Sequence, residues 1–327
     1  MSEKVCTLGI DLGGTNIVFG LVTPEGELLD HFSCPTGGGM GPAAVISNIL
    51  DGIGKSLEKA GSCRVNGIGL GSPGVINTET GVVLQCAPNI PDWTGQQIHT
   101  PIAERFGLPT WVDNDAKCAV MGEAIFGAGA GRQHMMVVTL GTGIGGGVVI
   151  GGRIHRGGFH VAGEIGHAVV QKEGRRCACG LEGHLEAYAS AKGIVGQAHE
   201  ELDKGRTSTL SGVEDGKLTA KMVVEAAREG DTLAAGVIEN AGHYLGLALA
   251  NVAMVFDPQI MVISGGISLA GPVLFDHIQA AYDRYIFYTD VRKAPIVPAE
   301  LGFEAGMVGA AAMAMVELDL ELRVEGR

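Results

Sequence analysis

The sequence has no surplus of basic residues: 23 Lys and Arg stand against 36 Asp and Glu, a net charge of −13. Non-specific nucleic-acid binding depends on Lys and Arg meeting phosphates, so that partner class is not expected. A nucleotide enzyme stays open, because backbone N–H groups can hold phosphates. No apolar run is long enough to span a bilayer; the charge-free stretch Ala305–Val316 near the end is too short. The opening MSEKVCTLGID lacks an apolar segment of signal-peptide length. Seven cysteines, an odd number in a chain of 327 residues, speak against a secreted disulfide framework. Charge is sparse as well, at 18% against 46% apolar residues, which is too little for a disordered chain and enough apolar material for a core. A soluble cytoplasmic protein of two domains, with no membrane partner, is expected.

What is abundant is glycine. The 53 glycines are about 16% of the chain against a usual ~7%, with no G-x-y period, so collagen is excluded. They cluster at the ends of apolar, β-branched segments, where backbone can approach a ligand closely. Val5–Ile10, Ile17–Val22 and Leu28–Phe32 read as three antiparallel strands, the first two joined by Asp11-Leu12-Gly13-Gly14-Thr15-Asn16. That is not a dinucleotide-binding unit, which places a helix directly after its glycines. Gly41–Ala60 has helical apolar spacing. Val65–Leu70 reads as a strand running into Gly71-Ser72-Pro73-Gly74, and Thr110–Val112 as a strand running into Asp113-Asn114-Asp115. Ala116–Phe126 follows as a helix with Asn114 or Asp115 near its N-cap. About 130 residues after the first, the pattern repeats: strand His134–Leu140, glycine turn Gly141–Gly147, strand Val148–Ile150, hairpin turn Gly151-Gly152. This predicts an internal duplication. Downstream, Thr219 is an N-cap for Ala220–Glu229, Leu233–Phe256 is a long helix stopped by Asp257-Pro258, and Ile260–Ser264 is a buried strand before Gly265-Gly266. Gly306–Val316 is an Ala-rich helix, and the last ten residues read as frayed.

Three constellations carry chemistry. The glycine turns Asp11–Asn16 and Gly141–Gly147 can aim consecutive N–H groups at phosphate oxygens, with Thr15 and Thr142 adding hydroxyls. Neither is followed by Gly-Lys-Ser/Thr, so neither is a P-loop, and each alone also fits a structural hairpin. In Asp113-Asn114-Asp115, an acid at a strand end can act as general base toward a hydroxyl, and Asn114 offers both donor and acceptor to a sugar. Asp115 and Asp113 compete for that role, with Asp113 also a candidate Mg²⁺ contact. The third constellation is His167, Cys177, Cys179 and His184, four ligands within one short window, which suits a closed tetrahedral Zn²⁺ site of structural type. Arg175 and Arg176 stand where they could lower the thiol pKa. Glu164 and Glu186 flank the ligands and could reach a polyol. Cys6, Cys34, Cys63, Cys86 and Cys118 read as fillers, Trp93 and Trp111 as core, and His160 shows no partner pattern.

Together these pieces resemble the ROK family of bacterial sugar kinases and repressors, over nearly the whole chain. The motifs are DLGGTN at 11–16, GLGSPGVI at 69–76, DNDA at 113–116, LGTGIGGG at 140–147, AGEIGH at 162–167, CACGLEGHLE at 177–186 and VISGGIS at 262–268. The resemblance implies an α/β, two-domain actin-like ATPase fold (ribonuclease H-like, hexokinase-type) with an interdomain cleft. Residues 1–118 would form a small domain completed by a C-terminal helix at about 303–327. Residues 119–302 would form a larger domain with a zinc-binding insertion at about 164–186. The implied reaction is ATP-dependent phosphorylation of a hexose at its 6-hydroxyl, glucose foremost. Alternatives are another hexose or N-acetylhexosamine (N-acetylmannosamine, N-acetylglucosamine, fructose, allose) and, remotely, a non-catalytic sugar sensor. The family's repressors carry an N-terminal helix-turn-helix domain, for which a phosphate turn at Asp11 leaves no room, so a repressor is not expected.

By the same resemblance Asp115 is the catalytic base, and Asn114, Glu164, His167, Glu186 and Gly71 belong to the sugar side. Asp11, Gly13, Gly14, Thr15, Asn16, Gly141, Thr142, Gly143, Gly265 and Gly266 belong to ATP, with Mg²⁺ on its phosphates near Asp11. Zinc would hold one nitrogen of His167 while the other meets the sugar. At position 184 the family's usual third cysteine is replaced by histidine, which can also bind zinc. A homodimer or homotetramer is implied too.

Overall fold

The computed structural model describes residues 4–85, 90–214, 216–287 and 294–318. In chain order the first elements are β1 (Val5–Leu12), β2 (Asn16–Val22), β3 (Leu28–Pro35), α1 (Pro42–Lys59), β4 (Arg64–Ser72), β5 (Val75–Asn77), β6 (Val82–Gln85), α2 (His99–Phe106), β7 (Thr110–Asn114) and α3 (Asp115–Ile125). They are followed by β8 (Met135–Leu140), β9 (Ile144–Ile150), β10 (Arg153–His155), α4 (Glu186–Ala189), α5 (Ala191–Asp203), α6 (Ala220–Arg228), α7 (Thr232–Phe256), β11 (Ile260–Ser264), α8 (Pro272–Tyr285), β12 (Ile296–Pro298) and α9 (Ala305–Glu317). Two five-stranded sheets have the orders β3-β2-β1-β4-β7 and β10-β9-β8-β11-β12, and β5 pairs with β6 alone. In both large sheets a hairpin-linked trio comes first and two later strands join on the far side of its first strand. The duplication expected from the glycine turns is thus present as a repeated strand order. The chain forms two compact units: Met1–Gln133 with Gly147–Ala162 and Glu300–Arg327, and His134–Gly146 with Gly163–Ala299.

In the first unit β1, β2 and β3 are antiparallel neighbours, and β4 and β7 add in parallel. Helix α1 buries Val45, Ile49 and Ile53, the four-residue spacing of one helical face, within the same core as Phe19, Ile68 and Leu70. Helix α9 packs on β1, β4 and α3. Its alanines and the glycines opposite allow that closeness: a Cβ at Gly9 or Gly69 would collide with the carbonyls of Met307 or Ala310. The entry to α9 is anchored by Glu123, which is fully buried in α3 and accepts N–H groups from Ala128, Glu300 and Leu301 at 3.0, 3.1 and 2.9 Å. Three donors compensate the burial of that carboxylate.

In the second unit β8, β11 and β12 are parallel. Thr219 caps α6 by accepting the Met222 N–H, as its position suggested, and Asp257 ends α7 in a left-handed conformation at φ 55°. Asp231 caps α7 by accepting from Leu233 and Ala234. One expectation fails. The second glycine turn is shorter than Gly141–Gly147, because β9 starts at Ile144 rather than Val148. Gly146 and Gly147 are inside the strand, where a Cβ would come within 2.8 Å of the Val137 carbonyl or of the Val120 side chain. Packing inside the strand by itself requires glycine at both positions. Cys86 and residues 319–327 of the tail lie outside the described residues.

Candidate active site and metal centre

In the first unit the strand ends carry the acids. Asp11 on β1 is in register with Gly71 on β4, and Gly71 with Asp113 on β7. Gly71 is a buried spacer: a Cβ there would lie 3.2 Å from both Asp115 Cα and Cys118 Sγ. Burial pushes the Asp11 carboxyl up to about 6. The turn after β1 is closed by Gly13 N donating to Asn16 O at 2.9 Å and braced by Thr36 Oγ1 donating to Gly13 O at 2.6 Å. Gly14, Thr15 and Asn16 are exposed, with the carbonyls of Thr15 and Asn16 taken by Thr36 N and Gly13 N.

The two candidate bases separate clearly. Asp113 is 2% exposed, and its oxygens take Arg156 Nε at 2.8 Å and the Asn114 N–H at 2.7 Å. Asp115 is only half-buried. Its Oδ1 accepts the Ala116 N–H at 2.8 Å and Asn114 Nδ2 at 2.9 Å. Asn114, not Asp115, is the N-cap of α3; its Oδ1 takes the Lys117 N–H at 3.1 Å and its Nδ2 also donates to Gly74 O at 3.0 Å. Asp113 is thus buried in an ion pair, whereas Asp115 keeps part of its surface open to solvent. Beneath them Cys118 is fully buried, and its thiol is held well up, first by burial and then by Asp113, Asp11 and Asp115. Trp93, also in the core, donates Nε1 to Ser72 Oγ at 2.9 Å and steadies the turn after β4.

In the second unit Gly141 and Thr142 are exposed. Glu186, at the start of α4, braces their turn. Its Oε2 accepts the Ile144 N–H at 2.9 Å, and a Cβ on Gly143 would collide with it. Ala191 N also donates to Gly141 O at 2.9 Å. Thr139 on β8 is in register with Ser264 on β11, so Gly265 and Gly266 emerge beside this turn, both exposed, with Gly265 at φ 90°. Glu164 is exposed ahead of a short 3₁₀ turn over Ile165–His167.

His167, Cys177, Cys179 and His184 converge, their ligand atoms all within 4.8 Å of one another. Tetrahedral bonds of about 2.0 Å to nitrogen and about 2.3 Å to sulfur would put neighbours about 3.3 Å (N···N) and about 3.5 Å (N···S) apart. The structure has His167 Nδ1 and His184 Nδ1 at 3.3 Å, and Cys179 Sγ and His184 Nδ1 at 3.2 Å. The donor set therefore fits a four-ligand Zn²⁺ site with no open position. Because His167 turns Nδ1 inward, its Nε2 faces away. Without metal the Cys177 thiol is pushed up to about 11, first by burial and then by Cys179 and Glu186. The expected help from Arg175 is not found: its guanidinium pairs with Glu200 at 2.6 and 2.7 Å and its Nε with Ala187 O at 3.1 Å. It fastens the metal loop to α5 instead. Sequence reasoning also missed Arg156, Lys117 and the bracing by Glu186. Each contact joins residues more than 40 apart, and no local spacing signals it.

Comparison with known proteins followed the same lines. A family model described as ROK family matches residues 7–317. A glucokinase of Halalkalibacterium halodurans is 39% identical over 92% of this chain and 92% of its own. The ROK hexokinase structure of Thermus thermophilus superposes with a TM-score of 0.83 at 32% identity, covering 96% of this chain and 99% of that one. A ROK family glucokinase from Streptomyces griseus, in complex with glucose and AMPPNP, gives 0.78 at 34%, covering 95% and 99%. The fold is that of these sugar kinases, an actin-like ATPase fold.

Proposed function

Since the chain belongs to the ROK family, we propose that it transfers the γ-phosphoryl group of ATP to the 6-hydroxyl of glucose. The observation that carries this is likeness along almost the whole chain to glucokinases, 36–39% identical over 92–95% of its length. Phosphoryl transfer asks for positioning and charge stabilisation more than covalent help. Asp115 accepts the proton of the attacking hydroxyl. Asn114, Glu164, Glu186 and His167, through Nε2, hold the other hydroxyls, while Gly71 keeps the room under Asp115. The amides and hydroxyls of Gly13–Asn16 and Gly141–Gly143 hold phosphate oxygens, Gly265 and Gly266 lie toward the nucleoside, and Asp11 assists, at one remove, the Mg²⁺ that arrives with ATP. His167, Cys177, Cys179 and His184 would hold Zn²⁺, which would tie the 167–184 loop together and fix the His167 ring. A homodimer, or a tetramer of two such dimers, and a cytoplasmic location complete the reading. Among the described residues no helix is long and apolar enough to cross a membrane.

The test is hexose-dependent ADP release from MgATP, measured across glucose, mannose, fructose, allose, N-acetylglucosamine and N-acetylmannosamine. A preference for glucose in kcat/KM supports the proposal. Turnover only with another sugar moves the substrate and keeps the reaction. No turnover with any of them, in zinc-replete protein, removes the kinase assignment.

A further inference from the structure

Two contacts in the first unit tie one loop to both flanks of Asn114-Asp115. Just past β10, Arg156 donates Nε to Asp113 Oδ2 at 2.8 Å, and its Nη2 lies 3.8 Å from Glu317 Oε1 on α9. The other oxygen of Asp113 takes the Asn114 N–H. Arg156 therefore acts on the main chain entering Asp115 through a single intervening carboxylate. On the far flank Lys117, 3% exposed in the first turn of α3, donates Nζ to the carbonyl of His160 in the same loop. His160 is at φ 61°, a conformation that non-glycine residues hold only where their surroundings impose it. Its Nδ1 is buried with no hydrogen-bond partner, so the ring does not anchor the loop through that atom.

A buried ion pair adds little net stability compared with apolar packing. Two charged anchors on one short loop, both at the catalytic stretch, supply position instead. We propose that Arg156 and Lys117 are positioning residues for phosphoryl transfer: they clasp the 156–160 loop to the main chain on either side of Asp115 and so aim its carboxylate. This rests on the kinase reading above.

The test is Arg156→Gln and Lys117→Met in the full chain, with kcat, KM and the pH profile of hexose-dependent ADP release, and Tm as a check on folding. Misaiming a reacting group by a fraction of an ångström to an ångström costs up to about 100-fold, so kcat should fall about 10- to 100-fold. KM for MgATP should stay within about twofold, since that binding is made elsewhere. The charges tied to this stretch are Asp113 on β7, Lys117 on α3, Arg156 from the loop and, against Arg156, Glu317 on α9; Asp11, Asp113 and Asp115 all act on Cys118. Removing Arg156 leaves the acids less neutralised, so the acid limb of the kcat profile should move to higher pH. Arg156→Lys should recover part of the loss. Where Arg156→Gln does not fold, Asp113→Asn combined with Arg156→Gln puts a neutral amide pair in the same place; it removes one charge of each sign, so its acid limb should stay put and the test is read on kcat, an unchanged kcat overturning the clasp. A folded variant with unchanged kcat and pH profile overturns the clasp. So does a loss of kcat with no pH shift and no recovery by lysine, which is the mark of a purely structural role. If wild type shows no hexose-dependent ADP release, the kinase reading fails and the clasp with it. An active wild type beside an indifferent Arg156→Gln variant sinks the clasp alone.

Discussion

The two five-stranded sheets have the same strand order and opposite chemistry at their ends. In the first, β1, β4 and β7 finish on Asp11, Gly71 and Asp113 side by side. In the second, β8 and β11 bring Thr139 and Ser264 into register and lead into exposed glycines. One sheet end gathers acids, with Asp113 tied to Arg156 and with Asp115, just past the strand, only half-buried. The other offers main-chain N–H groups and no acid on the strands, which is what a phosphate needs. Topology was duplicated, and the division of labour was written into the last residues of each strand. The acid that does serve the second turn, Glu186, comes from outside the sheet, from a segment that also carries a metal ligand.

That contrast can be broken at its strongest point first. Asp115→Asn should cut kcat at least ~100-fold, the low end for a lost general base. Sugar binding, followed by titration calorimetry, should be nearly unchanged; an undiminished rate would take Asp115 out of the role. Metal removal is next. Purified protein should contain about one zinc per chain, as four protein ligands imply. His184→Ala should lose it together with several degrees of Tm, whereas His184→Cys should keep it. Full stability in metal-free protein would refute the site. A smaller effect separates the glutamates. Glu186→Ala should raise KM for both ATP and sugar about tenfold, the scale of one hydrogen bond to a charged group. Glu164→Ala should raise KM for the sugar alone, so equal profiles for the two variants would erase the distinction.

The smallest effect concerns the acidic sheet end itself. With its carboxyl raised to about 6, Asp11 keeps its proton in the folded chain where an unfolded one is already ionised. The folded state therefore loses relative stability as pH rises from about 4 through about 6, and no more above that. Asp11→Asn removes this loss. Its Tm, relative to wild type, should climb by a few degrees across that window and then level off. A flat difference across the window would mean that burial does not perturb Asp11. No comparable group stands on the strands of the second sheet, so Thr139→Val should show no such pH dependence.

Much of the site was legible as words in the chain. DLGGTN, DNDA and the glycine turn at 141–143 announce themselves because turn geometry is local: a few consecutive residues supply both the backbone freedom and the donors. The convergence of His167, Cys177, Cys179 and His184 was legible for the same reason, as spacing within one loop limits which side chains can meet. Gly145–Gly147 misled for an equally physical reason. A glycine that admits a ligand and a glycine that admits a neighbouring carbonyl look identical until the neighbour is known, and the Val137 carbonyl is that neighbour at Gly146. Arg175 misled likewise, its charge being spent on Glu200.

The order of residues thus set out the elements, the repeat, the first glycine turn and the Cys/His group, all of which rest on interactions within a short stretch. Folding decided which of the two aspartates flanking Asn114 is tied to an arginine, because Arg156 lies 43 positions from Asp113. It decided that Glu186 braces a turn 42 residues away, and that α9 returns to cover β1 and β4. Contacts of that range are set by how the sheets and helices pack, and packing is a property of the whole chain.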